Sequence, residues 1–160
     1  MRIQVLSDLH NEFERFQLPK LGADLVVLAG DIHHGMKGIA WIRESYPDVP
    51  VVYVPGNHEY YRQAINALPL KMREAVAVER IHVLDDDEIR IDGVRFLGCT
   101  LWTDFRLLGT DPAFAGAAVS ELLNDFRLIR VAPSYRRFQP KDAFDLHQRS
   151  LQWLESKLGS

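Results

Sequence analysis

The stretch Leu25-Val26-Val27-Leu28-Ala29-Gly30-Asp31-Ile32-His33-His34 decides how the rest of the chain is read. An unbroken apolar run ends abruptly in a glycine, a carboxylate and two imidazoles. A half-exposed strand would alternate apolar and polar residues. A continuous run of this length instead fits a strand buried on both faces, as in a parallel sheet. The same pattern recurs on either side. Upstream, Ile3 to Leu6 ends in Ser7-Asp8-Leu9-His10-Asn11. Downstream, Val49 to Val54 is β-branched and tyrosine-containing, and ends in Pro55-Gly56-Asn57-His58-Glu59. A helical stretch, Gly38 to Tyr46, with Ile39 and Ile42 on one face, joins the second strand to the third. The residues from Asn11 to Asp24 just suffice for the first crossover, which needs about a dozen.

Crossovers between parallel strands are right-handed almost without exception. Successive parallel strands therefore present their carboxyl ends on one edge of the sheet, where the ligand sites of open α/β sheets lie. Asp8, His10, Asp31, Asn57 and His58 are expected to converge there, although they are far apart in the chain. Their chemistry agrees. Carboxylate, imidazole and amide oxygen together suit Mn, Fe, Zn or a similar ion. Strand-like alternation across Asp8-Leu9-His10 places both side chains on one side and offers an oxygen and a nitrogen to one ion. Asp31 has two oxygens and can bridge two ions, and Gly30 before it lets the backbone turn tightly. Asn57 offers a neutral oxygen. His58 follows it directly, points elsewhere, and suits a proton donor. Two ions about 3.5–4 Å apart form the usual clamp for in-line displacement at phosphorus. Each residue also has a plainer reading, with Asp31 as a helix cap and Asn57 as a turn residue. Three such motifs on one sheet edge favour the metal site.

The remaining elements are read as follows. A helix is expected over 61–78, interrupted at Leu68-Pro69, then a strand over 81–84. Residues 88–91 and 94–98 flank Asp92-Gly93, a strong hairpin signal. A helix is expected over 113–124, followed by a loop rich in arginine and proline. Residues 141–158 form an amphipathic helix with Phe144, Leu151, Leu154 and Leu158 in one stripe and Trp153 beside it. The fold class is α/β with helices packed on a mixed sheet, parallel early and with a hairpin later, in one domain over 1–160.

Composition narrows the function. The 160 residues are 47% hydrophobic and 26% charged, a soluble globular mix. A net charge of −3 gives no global basic field for nucleic acid or anionic membrane. A local patch is not excluded, because Arg127, Arg130, Arg136, Arg137 and Arg149 crowd the last third. The single Cys99 fits a reducing compartment. No apolar run reaches the eighteen or so residues of a membrane span, and a cytoplasmic protein is expected.

The motifs Asp8-Leu9-His10, Gly30-Asp31 and Gly56-Asn57-His58-Glu59 resemble, in this order, those of the calcineurin-like metallophosphoesterase family. Gly98-Cys99-Thr100-Leu101-Trp102-Thr103-Asp104 extends the resemblance to its bacterial cytosolic members. The resemblance implies the N-terminal two-thirds of an αββα sandwich and a binuclear metal site. It implies Asp8 and His10 on the first ion, Asp31 bridging, Asn57 on the second, and His58 as general acid or transition-state stabiliser. The family completes its site with later Gly-His or His-His and Gly-His-x-His motifs. This sequence has no Gly-His and no His-x-His. A truncated or split domain is therefore expected, with both ion positions weakened and the second more so.

Around these residues, His33, His34, Glu59, Trp102, Asp104 and Arg127 are candidates for the pocket wall. Asp125 and Arg127 are read as holding a phosphate or ordering a loop, and His82 and His147 as structural. The acidic run 85–88 is read as a solvated turn. The expected function is metal-dependent hydrolysis of a phosphomonoester or phosphodiester, with a phosphorylated small molecule or a phosphodiester as partner, nucleic acid not excluded, and no membrane. The alternative is an impaired fragment that binds metal or phosphate weakly or serves as an interaction module, or an enzyme completed by a second chain. An exposed sheet edge would then favour a homo-oligomer.

Overall fold

The computed structural model describes residues 1–17, 21–107, 109 and 111–159. Four parallel strands, β1 (Ile3–Leu6), β2 (Leu25–Ala29), β3 (Val51–Val54) and β4 (Ile81–Val83), pair in that order. Leu6 lies opposite Leu28, Leu28 opposite Tyr53, and Tyr53 opposite Val83, so the carboxyl ends are level along one edge. The apolar run that reads as doubly buried is so at Leu25, Val26 and Leu28, which have no exposed surface, while Val27 is half-buried and Ala29 at its end is exposed.

The pleat sends alternate residues of β2 into two separate cores. Val26 and Leu28 face helix α1 (Lys37–Ser45) through Ile39, Trp41 and Ile42. Leu25 and Val27 face the opposite way, toward Val52, Leu84 and the hairpin side chains Ile89, Ile91 and Phe96. The hairpin consists of β5 (Asp87–Ile91) and β6 (Val94–Gly98). Its turn residues Asp92 and Gly93 both have positive φ, 49° and 80°, the geometry favoured in two-residue hairpins. The expected mixed sheet resolves into two layers. The hairpin bonds only to itself among the described strands and lies across the face of the parallel sheet that α1 leaves free. Strand β1 lies at one edge of the sheet, and its Ile3 and Val5 are exposed.

Several expected boundaries move. The segment 61–78 is not one helix. One 3₁₀ turn (His58–Tyr60) is followed by turns, and α2 (Leu68–Ala75) begins at the proline expected to interrupt it. Pro69 sits in the first turn, where its missing N–H has no intrahelical partner to lose. The segment 113–124 splits into α3 (Pro112–Val119) and α4 (Asn124–Leu128). A short antiparallel pair, β7 (Arg130–Val131) and β8 (Arg136–Arg137), leads into α5 (Pro140–Leu158). The stripe expected on α5 is displaced. Leu151 and Leu158 are exposed, and the buried positions are Ala143 and Ser150. Small residues let this helix approach its neighbours closely, which ranking by hydrophobicity does not detect. Among the described residues no helix is long and apolar enough to cross a membrane.

Candidate metal centre

The loops that follow β1, β2 and β3 meet at the level edge of the sheet. The first two are laced through their backbones, with Asp8 N donating to Gly30 O at 3.1 Å and His10 N to Asp31 O at 2.9 Å. The strand-like alternation expected for Asp8 and His10 does not occur. Both residues, and Asp31, have left-handed backbone, with φ of 54°, 46° and 56°. Non-glycine residues in this region are uncommon and cluster at functional sites. The donor atoms nevertheless come close together by this different backbone route. One donor atom each from Asp8, His10 and Asp31 lie within 4.8 Å of one another, and His10 Nε2 is 4.0 Å from Asp31 Oδ2.

The third loop closes on the same carboxylate. His58 N donates to Asp31 Oδ1 at 3.0 Å. Gly56 passes so close that a Cβ there would lie 2.2 Å from Asp31 Oδ1. Asn57 Nδ2 donates to Asp125 Oδ1 at 2.8 Å and approaches the Tyr61 hydroxyl at 3.2 Å. A carboxylate accepts only, so it must face the amide NH₂ and leaves the amide oxygen for another partner. A cleft of about 330 Å³ is lined by Asp8, Gly30, Asp31, Asn57, Trp102 and Asp125, with Thr100 and Leu101 beside them. Thr100 is pinned to the third loop by its hydroxyl, which donates to Pro55 O at 2.8 Å.

Glu59 does not line this cleft. Its side chain is fully buried and accepts from the backbone N–H of Asp31, Ile32, His33 and Gly56 and from the Tyr53 hydroxyl, at 2.7–3.3 Å. One carboxylate thus ties the second loop to the third. Burial pushes its pKa above the ordinary carboxylate range, and the Tyr53 and Ile32 hydrogen bonds offset only part of that. Tyr53 is itself pushed well above the usual tyrosine value by burial.

Glu12 is a participant the sequence reading missed. Its side chain is 6% exposed, and Oε1 lies 2.6 Å from His58 Nδ1, 3.2 Å from His10 Nδ1 and 3.5 Å from His34 Nε2. Burial raises its pKa, but the bonds from His58, its own backbone and His10 prevail and hold it below the ordinary value. An acid two residues beyond His10, in the alternation Asp-x-His-x-Glu, was the available signal.

The other candidates divide. Trp102 lines the cleft and packs on Phe138 and Tyr60. The His34 ring lies tilted against Tyr61 and His58, 5.5 Å and 5.8 Å between centroids. His33 Nδ1 accepts from His34 N at 2.7 Å and so shapes its own loop. Burial holds both histidines below their ordinary pKa. Asp104 and Arg127 are not brought to the cleft. Asp104 faces His147 at 4.0 Å, and the Arg127 side chain is exposed. Of the pair Asp125 and Arg127, the structure puts the carboxylate in the wall.

The donor set fits a divalent ion. Ligand atoms about 2.1 Å from one ion are at most about 4.2 Å apart, close to the spread of Asp8, His10 and Asp31. Among the described residues no lysine or arginine lines the cleft, and Asp8, Asp31 and Asp125 line it together. Like charges so placed call for a cation.

The family model described as calcineurin-like phosphoesterase matches residues 1–150, and the chain belongs to that family. Comparison with curated proteins gave no match. Among solved structures the chain is similar in fold to the crystal structure of phosphopantetheinyl hydrolase (PptH) from Mycobacterium tuberculosis. The TM-score is 0.70 at 16% identity, over 99% of this chain and 63% of that one. The chain therefore spans less than two-thirds of that protein's length.

Proposed function

We propose that the chain hydrolyses a phosphate ester with divalent metal ions held at the ends of β1, β2 and β3. The observation that carries this reading is the approach of donor atoms of Asp8, His10 and Asp31 to within 4.8 Å, beside a cleft that Asp8 and Asp31 line and into which no lysine or arginine comes among the described residues. Asp8 and His10 would hold one ion, Asp31 would be shared with a second, and the amide oxygen of Asn57 would serve that second ion. Mn, Fe and Zn all suit these donors. When bound, such a pair supplies positive charge to the phosphoryl oxygens and lowers the pKa of water.

The protein's own groups do the rest. Asp31 is held at two points, by the backbone N–H of His58 and by the loop clamp at Glu59. His58 stands beside the carboxylates, with its ring steadied by Glu12, and is the group proposed to give a proton to the leaving oxygen. Trp102 and Leu101 supply an apolar part of the wall. The cleft is open enough for a monoester or a diester, so a phosphorylated small molecule and a phosphodiester, nucleic acid included, are both candidate substrates. The free Cys99 supports a cytoplasmic setting.

A second reading is favoured by the donor count. The six histidines of this sequence include no Gly-His or His-x-His, so the histidines that those motifs would add to the second ion are not supplied by them. On that reading the site is weak by itself, and residues from another segment or a second chain complete it.

Turnover of p-nitrophenyl phosphate and its bis-ester with added Mn²⁺ separates these readings, measured for the wild type, Asp31→Ala and His58→Ala. Metal-dependent turnover lost in both variants supports the enzyme. Stoichiometric metal without turnover supports the partial site. No metal bound at millimolar Mn²⁺ would sink both.

A further inference from the structure

We infer that Glu12 is a positioning residue that fixes the tautomers of His10 and His58 together, keeping the proton of each neutral ring on Nδ1 and leaving Nε2 of each as the working nitrogen. The argument starts from one oxygen. Glu12 Oε1 is 2.6 Å from His58 Nδ1 and 3.2 Å from His10 Nδ1, and the two rings meet edge to face, 4.4 Å between centroids. An ionised carboxylate only accepts, so both Nδ1 atoms donate. A protonated carboxyl has one O–H and could satisfy one ring at most, so even then the other ring must donate. With Nδ1 committed, His10 presents a lone pair at Nε2, the nitrogen 4.0 Å from Asp31 Oδ2. A histidine that ligates a metal ordinarily donates its other N–H to a carboxylate in this manner, which orients the ring and raises its basicity. Here one carboxylate serves a ligand and a candidate proton donor at once. Its other oxygen, Oε2, is buried with no hydrogen-bond partner among the described residues. A residue that served only to stabilise the fold would not be expected to leave an acceptor orphaned. The tautomers do not depend on the proposed function. Their consequence for cation binding rests on it.

Long-range ¹H–¹⁵N spectra of the metal-free, ¹⁵N-labelled chain at about pH 8, above the ordinary histidine range, read the tautomers directly. The wild type is expected to show His10 and His58 protonated on Nδ1. Glu12→Gln keeps an acceptor and should keep both tautomers. Glu12→Leu removes it and should move at least one ring toward Nε2–H while the amide dispersion stays native. Adding Zn²⁺ should then perturb His10 Nε2, with affinity 10–100-fold weaker in Glu12→Leu, the loss usual for such outer partners. The inference is overturned if either wild-type ring carries its proton on Nε2, a result that needs no variant to fold. It is also overturned if Glu12→Leu folds and changes neither ring. Zn²⁺ perturbing Nδ1 of both histidines would overturn it too, by making His10, Glu12 and His58 the cation site. If the tautomers behave as stated and Zn²⁺ perturbs nothing, Glu12 keeps its role and the metal reading fails.

Discussion

Glu59 ends in a carboxyl group and has no exposed surface, whereas Leu107 is apolar and 96% exposed. They stand for two regions that leave the same cleft. The loops after β2 and β3 are polar in sequence and end up inside. The excursion from Trp102 to Asp125 starts and finishes at the cleft wall and carries α3, whose residues Pro112 to Val119 include no polar side chain. Yet only Gly116 of α3 is buried, and Phe114, Leu122 and Leu123 are exposed. Burial here follows partners and layers, not composition. Glu59 is inside because five donors converge on it. The excursion stays outside because the described residues supply no layer to cover it.

The largest effect should come from the buried knot. Glu59→Ala orphans four backbone N–H groups and a hydroxyl, each costing about 1–3 kcal/mol when unmet. Some will find water, so a loss above about 3 kcal/mol is expected in urea unfolding. A loss below about 1 kcal/mol would mean that Glu59 does not hold the loops together. Gly56→Ala comes next. Its Cβ would also lie 2.6 Å from the Asp31 backbone nitrogen, so the second loop must shift, at about 1–3 kcal/mol, and Mn²⁺ affinity should fall with stability. Asp125→Ala should act on binding and spare the fold. With Asn57 freed to turn its amide, metal affinity should drop about 10–100-fold with little change in the urea midpoint. The smallest effect belongs to the excursion. Phe114→Ser should change stability by no more than about 0.5 kcal/mol, and a larger loss would show that α3 is covered in solution.

The contrast also explains what could be read from the sequence. Strands β2 and β3 were legible because a doubly buried strand must be apolar throughout, so its polar end stands out; β1, an edge strand that exposes Ile3 and Val5, was legible by the matching polar motif at its end. The route by which Asp8, His10 and Asp31 come together was not legible. Left-handed backbone at Asp8, His10 and Asp31 leaves no mark in residue type beyond tolerance for it. Glu12 was missed because Asn11-Glu12-Phe13 reads as solvated loop and its partners are distant, His58 lying 46 residues on. Asp125 and Arg127 were weighed as a pair, but residues two apart on a helix do not face the same way, so only Asp125 reaches the cleft. On α5 the buried face passes through Ala143 and Ser150, where size and not hydrophobicity decided the contact. Pro69 is expected to interrupt a helix over 61–78 and instead starts the shorter α2, since a proline that breaks a helix and one that starts it look alike without the cap.

The most direct test of the metal centre is Mn²⁺ binding to the metal-free chain, followed by electron paramagnetic resonance, for the wild type and Asp31→Ala side by side. Saturable binding in the wild type that is lost in Asp31→Ala, with the variant still folded, is the result expected. Equal binding by both, or none by the wild type at millimolar Mn²⁺, would contradict a centre built on the ends of β1, β2 and β3.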